Sequence, residues 1–136
     1  MRRREFIALM GASVAWPFAA MAQEPGRLYR VGLLWAATPE SPVVVAFLDE
    51  TARHDFVVGK NLTVDYRAFD RLSEYAAELV KGRVDVIGAA GNMAIRAAQE
   101  ATKTIPILGI TDDLLGSGLV NSMARPNGNT TGVSIL

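Results

Sequence analysis

The feature that most constrains this chain is a regular alternation of short apolar runs with stretches whose apolar residues recur at helical spacing. The clearest run is Ile105-Pro106-Ile107-Leu108-Gly109-Ile110, which stops at Thr111-Asp112-Asp113. An unbroken apolar run of this length fits a strand buried on both faces, as in a parallel sheet, better than a strand with one wet face. Two others, Tyr29-Arg30-Val31-Gly32-Leu33-Leu34-Trp35-Ala36 and Val84-Asp85-Val86-Ile87-Gly88-Ala89-Ala90, read as strands in the same way. Leu62-Thr63-Val64-Asp65-Tyr66-Arg67 alternates apolar and polar residues instead, which suits an edge strand. Residues 131–136 give a fifth run.

Helices are predicted between these runs. Ser41 ahead of Pro42 is a predicted N-cap, and Val44, Phe47, Leu48, Thr51 and Ala52 then trace one helical face. Asp70 is predicted to cap a second helix, in which Leu72, Tyr75, Ala76, Leu79 and Val80 repeat the stripe before Gly82. Asn92 is predicted to cap an alanine-rich helix over residues 93–102. A fourth helix is expected after the 111–113 loop. It stops before Pro126, with Arg125 meeting its C-terminal dipole and Asn127-Gly128 turning the chain into the last strand. Strands and helices joined by short connections predict an α/β fold of the Rossmann-like (flavodoxin-like) kind, a parallel sheet of about five strands with helices on both faces.

The 136 residues are one domain's worth, and 50% hydrophobic with 21% charged residues is the make-up of a packed protein. A formal net charge of zero argues against a nucleic-acid partner. The absence of cysteine excludes disulfides, thiolate metal sites and cysteine nucleophiles. The single histidine, His54, lies beside Asp55 and reads as a solvated side chain rather than a metal ligand or a base. Gly116-Ser117-Gly118 has neither the spacing and lysine of a phosphate loop nor the position of a dinucleotide fingerprint. No catalytic constellation, metal site or cofactor site is therefore expected.

Residues 1–22 read as an export signal and residues 23–136 as the folded lobe. Arg2-Arg3-Arg4 precede an apolar stretch from residue 6 to residue 22, and Ala20-Met21-Ala22 is a small-x-small cleavage pattern. The arginines followed by Glu5-Phe6-Ile7 resemble a twin-arginine leader. Cleavage near Ala22 would remove three arginines and one glutamate, leaving a mature chain of formal charge about −2 in the periplasm.

Open α/β sheets bind ligands at the carboxyl ends of their strands, beside helix N-termini. The polar residues at those exits are Thr38 after the first strand, Asn92 after the third, and Thr111, Asp112 and Asp113 after the fourth. These are the candidate ligand-binding residues, with helix capping or turn formation as the plain alternative for each.

Thr111-Asp112-Asp113-Leu114-Leu115-Gly116-Ser117-Gly118-Leu119-Val120 and Met123-Ala124-Arg125-Pro126-Asn127-Gly128-Asn129-Thr130-Thr131-Gly132, with the leader and the Val84-Asp85-Val86-Ile87 strand, resemble the ABC-transporter substrate-binding protein family whose characterised members take up aromatic amino acids. The family's usual wording is close to TDDPVGSGLV and LARPGGNxTG. Here Leu114 replaces the usual proline, which frees φ in that loop, and Asn127 replaces a glycine, a mild change because asparagine tolerates turns. The resemblance implies one lobe of a two-lobed periplasmic binding protein, here the N-terminal lobe, truncated before the second. It also implies a small-molecule solute such as an aromatic amino acid, and an ABC permease as partner. A lone lobe leaves apolar surface and a strand edge uncovered, through which two copies of the chain can form a homodimer.

Two other readings compete. A cytoplasmic flavodoxin-like or receiver-like domain is one, but a receiver needs a phosphoacceptor aspartate at the end of the third strand, where this chain has Ala89-Ala90. The other is a non-binding, dimerising fragment.

Overall fold

In the computed structural model, residues 26–35, 38–122 and 128–135 are described. The leader therefore lies outside the described residues, as does the segment carrying Arg125, Pro126 and Asn127.

Five strands form one parallel sheet: β1 (Tyr29–Leu34), β2 (Leu62–Arg67), β3 (Val86–Ala90), β4 (Ile107–Thr111) and β5 (Thr130–Ser134), in spatial order β2-β1-β3-β4-β5. The helices among the described residues are α1 (Pro42–Arg53), α2 (Leu72–Lys81) and α3 (Asn92–Ala101). This is the expected α/β architecture, with β2 at an edge. The central strands are buried along nearly their whole length, whereas β2 is half-buried after Leu62.

The two faces of the sheet follow from the alternation of side chains along β1. Tyr29, Val31 and Leu33 join Phe47 of α1, Phe56 and Leu62 in one buried cluster, and Tyr29 meets Phe56 edge to face at 5.1 Å between ring centres. Leu34 points the other way. It belongs to a second cluster with Ala76 and Leu79 of α2, Ile95 and Ala98 of α3, and Ile87 and Ile107 of the sheet. Gly32 lies on that second face, where an added Cβ would stand 2.6 Å from Leu79 Cδ2, so the missing side chain is what lets α2 settle onto β1. Of the five residues expected on the buried face of α1, Val44, Phe47 and Thr51 are buried, Leu48 is half-buried and Ala52 is exposed.

At the amino edge of the sheet, Asp85 ties the chain's lead into the fold. It accepts from Arg27 Nη2 at 2.6 Å and from the Arg30 backbone N–H at 2.8 Å. The strand expected from Val84 starts at Val86.

Two expectations are corrected. No helix forms between residues 112 and 122, where the chain makes turns, with Ser117 N–H on Asp113 O and Leu119 N–H on Leu114 O. Gly116 and Gly118 lie inside that stretch, and the positive φ of 73° at Gly118 is incompatible with a continuing α-helix. The caps are corrected in part: Ser41 stands at the N-cap of α1 ahead of Pro42 as expected, but none of α1, α2 or α3 has a side-chain cap hydrogen bond, and the N-cap positions of α2 and α3 are Arg71 and Gly91, not Asp70 and Asn92.

Candidate functional site

The carboxyl ends of the strands surround an open depression of about 770 Å³. Its apolar lining comes from residues just past each strand or at a helix start: Trp35 after β1, Phe69 and Leu72 after β2, Met93 on α3, Val43 on α1 and Ile135 after β5. Ala90 and Ile110, both half-buried, also line it. The rim is unusually apolar for exposed surface, with Met93 76% and Ile135 63% accessible.

The polar groups enter from β3 and β4. The chain leaves β3 through Gly91, whose φ of 91° and ψ of 153° suit a residue without Cβ and aim α3 at the depression. Ile95 is the residue whose N–H returns to Gly91 O, at 3.0 Å, so the N–H groups of Asn92, Met93 and Ala94 have no partner inside the helix. Together with the helix dipole they present partial positive charge. Asp112, exposed and one residue past β4, supplies negative charge to the same depression.

Asn92 and Thr111 are already engaged with each other. Thr111 Oγ1 donates to Asn92 Oδ1 at 2.6 Å, and Asn92 Nδ2 donates to Ser117 Oγ at 3.1 Å. Thr111 is buried, so its hydroxyl holds the exits of β3 and β4 at a fixed spacing. Asn92, Thr111 and Asp112 thus come together in the depression, whereas Thr38 and Asp113 do not line it. The Thr38 backbone N–H donates to Ser41 Oγ at 3.0 Å, which diverts that hydroxyl from the first turn of α1. Asp113 Oδ1 accepts from Gly116 N–H at 2.8 Å and shapes the loop behind Asp112. Sequence reasoning missed Trp35, Phe69, Met93 and Ile135. Their signal was position: each falls within a few residues of a strand exit.

Near this edge Tyr66 has its phenol pKa pushed above the usual 10.0, first by burial and then by the negative charge of Glu40. Among the described residues no group of three His, Cys, Asp or Glu side chains could hold a metal ion, and no helix is long and apolar enough to cross a membrane.

Residues 43–135 match the family model for ABC transporter substrate binding proteins. The chain belongs to that family. Among solved structures it is similar to the ligand-free, open structure of CD0873, a substrate binding protein with adhesive properties from Clostridium difficile. That likeness has a TM-score of 0.68 at 26% identity and covers 79% of this chain and 39% of that one. A conserved domain protein from Vibrio cholerae is similar at 28% identity and TM-score 0.67, over 81% of this chain and 39% of that one. The fold is shared with an ABC domain solved in complex with L-Trp from Streptococcus pneumonia, at 20% identity, TM-score 0.67, and 79% and 38% coverage. No curated protein matches. This family member thus spans about two fifths of the length of the solved proteins it resembles.

Proposed function

We propose that the chain is the N-terminal lobe of an exported solute-binding component of an ABC importer and that its solute is an amino acid, with an aromatic side chain as the best fit. The observation that carries the reading is the pairing, in one apolar depression, of a helix start with partial positive charge and the Asp112 carboxylate. A zwitterion matches that pair: its carboxylate against the N–H groups of Met93 and Ala94, its ammonium against Asp112, its side chain over Trp35 and Phe69. Thr38, Thr111 and Asp113 support the walls, and Asn92 holds the edge that the carboxylate meets. Catalysis forms no part of the proposal. A permease is the partner, and residues 1–22 are the leader that brings the chain to the periplasm.

Thermal shift against a panel of amino acids tests this on the full chain. At ten times Kd a ligand stabilises by about 1.4 kcal/mol, a rise of a few degrees for a domain of this size. L-tryptophan or a similar zwitterion should give that rise, and tryptamine or indolepropionate, each lacking one charge, should give much less. A chain indifferent to every amino acid at millimolar concentration overturns the reading.

A second reading rests on the exposed rim of Val43, Phe69, Met93 and Ile135. Apolar surface of this kind suits a second copy, and a homodimer by light scattering without response to any solute would favour the non-binding, dimerising form over the importer.

A further inference from the structure

Between β4 and β5 the chain has no helix or strand over residues 112–122, yet Leu114, Leu119 and Val120 are buried. The turn bonds of this crossover pair only some of its backbone groups, and side chains from outside it pair others. Three of the fasteners come from one stripe of α3, at positions i, i+4 and i+7. Asn92 Nδ2 reaches Ser117 Oγ at 3.1 Å, Arg96 Nη2 donates to Ser117 O at 2.8 Å, and Gln99 Nε2 donates to Leu119 O at 2.9 Å. Gln99 Nε2 also reaches Thr130 Oγ1, again at 2.9 Å, which ties the first residue of β5 to the same helix. The Gly116-Ser117-Gly118 loop, which no phosphate-binding role explains, is thus the catch that α3 grips.

From this geometry we infer that Arg96 and Gln99 are positioning residues for the solute site. Neither lines the depression, but both fix the crossover whose first residue is Asp112 to the helix whose start forms another part of the same wall. One helix supplies the pole for a carboxylate and, two turns further on, holds the carboxylate of Asp112 in register with it. For its functional consequence the inference rests on the amino-acid reading above.

The test is Arg96→Ala in the full chain, with Arg96→Lys beside it, read first by hydrogen exchange. The amides of Leu114, Ser117 and Leu119 are hydrogen-bonded to Ser134 Oγ, Asp113 O and Leu114 O. Loss of the arginine should speed their exchange about five- to tenfold while Val31 in β1 and Ile87 in β3 stay unchanged, and lysine, which can donate to the same carbonyl, should restore most of the protection. Equal acceleration in β1 and β3, or none in the crossover, overturns the fastening. With L-tryptophan as probe, Arg96→Ala should weaken binding several-fold and Arg96→Lys should not; unchanged affinity beside faster exchange overturns the positioning role. A wild-type chain that binds no amino acid overturns the solute reading and the site role together, and the exchange result still decides the fastening by itself.

Discussion

Asn92→Asp separates stability from recognition at the proposed carboxylate pole, because the structure makes the two respond with opposite sign. The substitution is isosteric. A carboxylate at position 92 still accepts from Thr111 Oγ1, now 2.6 Å from the amide oxygen, and it can accept from the Ser117 hydroxyl in place of donating to it at 3.1 Å. No acidic residue occupies the first turn of α3, so a negative charge there meets an uncompensated dipole and should stabilise by about 0.3–1 kcal/mol, or roughly 1–4 °C. The same charge opposes a ligand carboxylate at the start of that helix. At about 4 Å the repulsion is about 1 kcal/mol in bulk water and about 4 at an effective dielectric of 20. The depression is open, so about 1–2 kcal/mol applies, which weakens amino-acid binding roughly five- to thirtyfold. Calorimetric titration with L-tryptophan, beside a melting curve of the free protein, reads both effects. Raising the salt to 1 M should shrink the affinity gap, since the screening length falls to about 3 Å. Asn92→Ala controls for lost hydrogen bonds: it strips the buried Thr111 hydroxyl of its acceptor and should lower stability by about 1 kcal/mol. An aspartate variant that melts higher and binds L-tryptophan as tightly as wild type would refute the placement of a carboxylate at the start of α3.

Two further outcomes are expected. Gly32→Ala should destabilise by about 1–3 kcal/mol because its methyl would stand 2.6 Å from Leu79, and Leu79→Ala by about 2–5 kcal/mol through the cavity it leaves. Combined, the methyl fills part of that cavity, so urea denaturation should show the double variant more stable than the sum of the two by at least about 0.5 kcal/mol; simple additivity would refute the contact. Tyr66 holds its proton more tightly in the folded chain than in the unfolded one, so its contribution is fully present below pH 10 and is lost as pH rises through the higher folded value. Melting curves above pH 10 should fall less steeply for Tyr66→Phe than for wild type, and identical slopes would count against it.

How far the sequence foretold the fold depends on the kind of force involved. Burial on both faces leaves an unbroken apolar run, a signal carried by the strand itself, and so β1, β3 and β4 were legible to within a few residues. The alternation in β2 was legible as an edge for the same reason. Caps were not, because a polar side chain chooses between local and distant partners and only the local ones are visible in sequence. Ser41 turned back to Thr38, Asp70 stands beside the Arg71 guanidinium at 4.0 Å, and Asn92 found Thr111 and Ser117, 19 and 25 residues away. The missing fourth helix was readable in principle: two glycines within three residues oppose a helix that the apolar Leu114, Leu119 and Val120 would otherwise suggest.

At the site, the rule that ligands gather at the carboxyl edge led to Asn92, Thr111 and Asp112, but residue type alone could not say which of them faces outward. Thr111 and Asn92 satisfy one another, so the groups left to meet the proposed zwitterion are backbone N–H donors at the start of α3 and the carboxylate of Asp112. Backbone donors have no residue-type signature beyond the Gly91 that sets their direction. The apolar part escaped for a different reason. Trp35, Phe69, Met93 and Ile135 are spread over 100 residues of sequence and converge only because five parallel strands end at one edge, so each shows only a place near a strand exit and their common role is a property of topology. The same topology brings Arg96 and Gln99 to the crossover, where they donate to the carbonyls of Ser117 and Leu119.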